Sequence, residues 1–257
     1  MNNLMAIIIS LIALIANIIA ITHSAYENNK LTCNRYIINS YLYVVLAILI
    51  MFFIIIVNDK TYFIQRALPF MFGSLISSIV FIIALIGLLI YFKTLDPTKD
   101  KILIHSIWTI IMILLGMIMY PVFVSSKINN NLELSIGIVF VIICVTAYLG
   151  IKFGKQLFPY DWDKYLYYAL IGFIVLTVLF TTTKKMNDKL DLFITWGILI
   201  IFIILMISYN KKIYENSQKC IEHNNPNYLA ESLSLITKII NVFARVARLM
   251  GRRRGRR

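Results

Sequence analysis

Hydrophobic positions along this chain come in long unbroken blocks. The blocks are Leu4–Ile21, Tyr36–Val57, Ala67–Phe92, Ile102–Val124, Ser135–Ile151, Tyr165–Thr183 and Leu192–Tyr209, and none holds Asp, Glu, Lys or Arg. A helix rises 1.5 Å per residue, so about 20 apolar residues cross a hydrocarbon layer roughly 30 Å thick. Each block is near that length. Lipid offers no partner to an open backbone, so the blocks are predicted to be helices despite their many β-branched residues. The first block is expected to stay as an uncleaved span; a cleaved signal peptide is the alternative, but the basic start is missing. Leu229–Met250 has a different pattern. Glu231, Ser234, Lys238, Asn241, Arg245 and Arg248 recur at helical spacing opposite Leu235, Ile239, Val242, Val246 and Leu249. That stripe predicts an interfacial or re-entrant amphipathic helix. The expected fold is an all-α integral membrane protein: a bundle of about seven transmembrane helices plus a C-terminal amphipathic or re-entrant helix. Pro69, Pro97, Pro121, Pro159 and Pro226 fall at or beyond segment ends, where a missing N–H is tolerated. Trp108, Trp162 and Trp196 lie near segment ends, as interfacial aromatics do.

Composition agrees with a membrane chain. Of 257 residues, 60% are hydrophobic and 14% charged, with a mean hydropathy of +0.81. Soluble domains carry about 45–50% apolar and about 25% charged residues. The net charge of +13 is concentrated at the C-terminus, where Arg245, Arg248, Arg252, Arg253, Arg254, Arg256 and Arg257 crowd together. Such a cluster anchors topology by the positive-inside rule, or binds anionic lipid headgroups, nucleic acid or a capsid. Without the tail, the first, third, fifth and seventh loops carry eleven Lys and Arg, and the intervening loops six. That count puts the odd loops in the cytoplasm and Lys127 on the far side. A re-entrant last helix then keeps the tail cytoplasmic.

Little in the chain suggests chemistry. Cys33 and Cys220 read as loop residues, Cys144 as a small buried hydrophobe, and the three give no disulfide framework. Cys220 and His223 form a lone C-x-x-H, too weak for a metal site. His105 reads as an interfacial residue, with a proton relay as the alternative. Gly150 and Gly154 form a G-x-x-x-G, a weak packing signal. Asp161-Trp162-Asp163 reads as a polar loop with an anchoring Trp. The sequence carries no Ser-His-Asp set, phosphate loop or zinc signature. Neither catalysis nor a cofactor is expected.

Four stretches resemble the Bax inhibitor-1 (transmembrane BAX inhibitor motif) family, in matching order and spacing. Phe158-Pro159-Tyr160-Asp161-Trp162 is similar to its Thr-Lys-x-Asp-Phe loop, and Trp196–Ile200 through Ile207–Ile213 to its Gly-containing span ending in Tyr-Asp-Thr-Gln-x-Ile. Asn227–Leu235 is similar to the stretch before its last helix, and Ile239-Ile240-Asn241-Val242-Phe243 to that helix's Asp-Ile-x-Asn-Leu-Phe. The resemblance implies a family domain over 35–250, an additional N-terminal segment over 1–34 and an arginine-rich tail over 251–257. It implies six spans around a central C-terminal helix, calcium leak across an internal membrane (endoplasmic reticulum or Golgi, or a viral membrane) and restraint of cell death. The family's proton-sensitive latch of two aspartates falls on Asn210 and Lys238. One carboxylate has become neutral and the other has reversed sign, so pH gating is expected to be altered or lost. A structural or tethering protein with a basic tail is the alternative.

Overall fold

The computed structural model of the chain describes residues 3–27, 30–64, 66, 75–97, 99–158, 162–182, 187–223 and 226–254. Among these, eight long helices follow one another: α1 Asn3–Ala25, α2 Tyr36–Thr61, α3 Leu75–Thr94, α4 Lys101–Ile128, α5 Leu132–Leu157, α6 Asp163–Thr182, α7 Asp188–His223 and α8 Tyr228–Arg254. Six of them (α1, α2, α4, α5, α6 and α7) are long and apolar enough to cross a membrane. The described part of α3 adds a shorter apolar stretch, Ile79–Thr94. A two-residue antiparallel pairing, Tyr26 with Leu31 and Glu27 with Lys30, closes the turn between α1 and α2. This is the predicted all-α membrane protein. Ile76, Ile83 and Ile90 of α3 and Tyr168, Ile171 and Val178 of α6 are exposed. In water such apolar surface would be untenable; against lipid tails it is the expected outer face.

The chain divides into two compact units, residues 1–120 with 217–236, and residues 121–216 with 237–257. In the first unit Tyr43, Ala47 and Met51 of α2 are buried, as are Ile104, Trp108 and Met112 of α4 and Tyr228, Leu229 and Leu233 of α8. Gly116 lets α4 approach α2 closely, since a Cβ there would sit 3.2 Å from Met51 Cα. In the second unit Ile194, Ile198, Leu205 and Met206 of α7 are buried, as are Val242, Val246 and Leu249 of α8.

Three expectations are corrected. Pro121 does not end its helix: α4 runs through it to Ile128. Within lipid the rest of the hydrogen-bond ladder outweighs one missing N–H, and the proline lies at the junction of the two units. Trp108 is not interfacial; it is buried, and its indole N–H donates to Ser232 Oγ at 3.0 Å. The interfacial reading of the last helix also fails. Among the described residues of α8 only Arg248 is exposed, and Glu231, Ser232 and Lys238 of its polar stripe are buried. The stripe points into protein rather than toward water, as polar residues in membrane bundles do.

Candidate functional site

Both residues expected at the altered latch belong to the second unit. The side chain of Asn210 is buried on α7, and Lys238 of α8 is buried with its ammonium 4.0 Å from the ring centre of Tyr209, the neighbour of Asn210. A desolvated cation over an aromatic face contributes up to about 2 kcal/mol. Both glycines of the G-x-x-x-G motif face this stretch of α7. A Cβ at Gly150 would lie 2.5 Å from Asn210 Cβ and 2.5 Å from Ile207 O, and one at Gly154 would lie 2.6 Å from Lys211 Cβ. The weak motif is therefore a true close approach of α5 to α7. Nearby, Ser208 Oγ donates to Asp163 Oδ1 at 2.6 Å, and Lys211 donates to Phe158 O at 2.7 Å. Asp163 thus does more than border a loop, while Trp162 beside it is exposed, as an anchoring Trp should be.

These contacts give a first prediction. Gly150→Ala should lower the melting temperature in detergent, because forcing a methyl against Ile207 O and Asn210 costs about 1–3 kcal/mol. Gly137→Ala on the same helix meets nothing within 4 Å and should leave the melting temperature unchanged or slightly raised. Equal behaviour of the two variants would remove the close approach.

Further along the second unit, Arg248 Nη2 donates to both oxygens of Asp191, at 2.8 and 2.9 Å, and Asp191 is buried. Arg248, expected in an anion-binding cluster, is instead engaged inside the chain. Arg245 is half-buried. The side chains of Arg252, Arg253, Arg254, Arg256 and Arg257 lie outside the described residues.

The first unit holds polar groups that sequence reasoning passed over. Tyr36 O–H donates to Glu231 Oε1 at 3.2 Å, and Asn39 donates to Ser24 O, Asn34 O and Tyr228 Oη. Glu231 was visible only as one member of the polar stripe. His105 is not a plain interfacial residue. Its Nδ1 lies 2.7 Å from Lys101 O, which places the proton there, so Nε2 accepts from Tyr43 at 2.9 Å, with the Tyr26 hydroxyl at 3.2 Å. Burial pushes the Tyr26 phenol above its ordinary value, against the lowering effect of its hydrogen bond to Tyr43, and so keeps it neutral. Cys33 and Cys220 form a disulfide, with Cα atoms 5.6 Å apart. The reading that the cysteines make no such bond is overturned; 187 residues separate the two, and only the fold brings them together. Cys144 is exposed rather than buried. Among the described residues no cluster of His, Cys, Asp and Glu could hold a metal ion.

The family model described as Inhibitor of apoptosis-promoting Bax1 matches residues 33–255. The chain belongs to the Bax inhibitor family. The match spans α2 to α8 and so includes Asn210, Lys238 and the Asp191–Arg248 pair of this Bax inhibitor family member. Among curated proteins none matches the chain.

Proposed function

We propose that this Bax inhibitor family protein acts on ion homeostasis or cell death in an internal or viral membrane, with a calcium leak that is weak and lacks the family's pH gate. The observation that carries this reading is the pair of residues at the latch positions. Asn210 is neutral, and Lys238 places a buried cation beside Tyr209. A carboxylate pair attracts a divalent cation and loses that attraction on protonation; an amide does not titrate, and an ammonium repels the ion. The test is calcium entry into dye-loaded proteoliposomes at several pH values. Slow, pH-insensitive entry is expected from the wild type, and fast entry that changes with pH overturns the proposal.

A tethering role is the second reading, favoured by the arginine run at the end of the chain. Each basic residue near an anionic surface contributes about 1 kcal/mol, screened by salt. With Arg248 engaged by Asp191, the attraction falls to the five arginines from Arg252 to Arg257. Replacing all five with Gln should weaken binding to phosphatidylserine liposomes by at least tenfold at low salt. Unchanged binding removes the electrostatic role, and unchanged calcium entry in the same variant separates it from the ion path.

A further inference from the structure

We infer that the end of the molecule bearing Cys33 and Cys220 faces an oxidising compartment, with the N-terminus and the arginine tail together in the cytosol. Loop parity comes first. Cys33 lies in the loop after α1, and Cys220 near the end of α7, just before the loop that leads into α8. A bond between them places the first and seventh loops on one side of the membrane.

The second step is the path of α8. Within the second unit Lys238 meets Tyr209, whereas Arg248, further along α8, meets Asp191 at the other end of the apolar part of α7. The two helices are therefore antiparallel there. The end of α8 also reaches the loop between α4 and α5, since Asn131 Nδ2 donates to Ala247 O at 3.3 Å. That loop, and the loop before α7, belong to the even side. A 27-residue helix is about 40 Å long, enough to cross. The last helix thus carries the tail to the even side, not back to the side of the seventh loop.

The charge balance then reverses. Adding the seven tail arginines to the six basic residues of the even loops gives thirteen, against eleven on the odd side. Five of the thirteen are packed into the last six positions, the kind of cluster that stays cytosolic. The disulfide decides the matter independently. Cytosolic thiols are held reduced, whereas disulfides persist in the lumen of the secretory pathway and outside the cell. There, two thiols lose two protons and two electrons to a protein disulfide of the compartment, which leaves as its dithiol, and the Cys33–Cys220 bond forms. Charge and redox chemistry agree on one orientation: odd loops luminal or external, even loops and both termini cytosolic.

The full chain carrying Gly255→Cys, inserted into sealed endoplasmic reticulum microsomes, tests this with a membrane-impermeant polyethylene-glycol maleimide. Sealed vesicles should add one polymer, at position 255. Unreduced protein in dodecyl sulfate should add two, the second at Cys144, and reduced protein four. After reduction by a membrane-permeant thiol, Cys33 and Cys220 should stay unlabelled until the vesicles are opened. Four additions without reductant would show that the disulfide does not form in the membrane. Labelling of Cys33 or Cys220 in closed vesicles, or protection of position 255, would reverse the orientation. The parent cysteines remain in place and the added one lies in the tail, so no result depends on a core variant folding.

Discussion

Replacing Asn210 and Lys238 together with aspartate is expected to turn a poor calcium conductor into a pH-dependent one. Asn210→Asp changes no volume, so the close contact with Gly150 is preserved. Lys238→Asp removes the ammonium over Tyr209 and leaves a shorter acid on the same buried face of α8. A lysine ammonium about 6 Å from a divalent ion repels it by about 5 kcal/mol at an effective dielectric near 20, and a carboxylate attracts it by a similar amount. Only about 1.4 kcal/mol off a barrier gives a tenfold change in rate, so a rise of at least tenfold in calcium entry is expected. Acid should suppress it, because burial favours the neutral form of a carboxyl and the neutral form does not attract the ion. The measurement is dye-reported entry into proteoliposomes from pH 5 to pH 8, for the wild type, each single variant and the pair. Strong wild-type entry unaltered by the substitutions would show that these positions lie off the ion path. A well-folded pair as silent as the wild type would favour the tethering role.

How far this site was legible in the sequence differs residue by residue. The membrane spans were plain because lipid imposes one rule, an uninterrupted apolar run, and the runs at Tyr36–Val57 and Leu192–Tyr209 obey it without charge. Asn210 and Lys238 were found through family resemblance, since one Asn at a span end and one Lys in a stripe carry no signal of their own. The stripe itself misled. Periodicity reports that α8 has two faces, but not which medium each face meets; in water the polar face is outside, whereas here Glu231, Ser232 and Lys238 are enclosed by other helices. The disulfide was out of reach for a different reason. Pairing follows distance in space, and nothing near Cys33 or Cys220 in sequence records that the start of α2 meets the end of α7. Asp191 was invisible because it stands one residue before an apolar run, where a carboxylate normally marks a solvated helix start.

Cutting the Asp191–Arg248 pair should be the most damaging single change on α8, and the two halves should not be equivalent. The aspartate side chain is 6% exposed, whereas the arginine side chain is 47% exposed. Arg248→Met therefore leaves a buried acid without its cation, whereas Asp191→Asn leaves an arginine that can still turn toward headgroups. Losing one member of a fully buried pair costs about 3–5 kcal/mol and of an exposed pair under about 1 kcal/mol, so about 2–3 kcal/mol is expected for Arg248→Met and about 1 kcal/mol for Asp191→Asn. The double substitution Asp191→Leu with Arg248→Met should recover most of the loss, since an apolar pair of similar size satisfies a site that no longer holds charge. Melting temperatures in a neutral detergent for Asp191→Asn and Arg248→Met compare the two halves, and those for the wild type, Asp191→Leu, Arg248→Met and the double variant give the coupling directly. Additive losses would show that the contact contributes little. A strong coupling would assign to this pair the fastening of α8 to the start of α7 within the second unit.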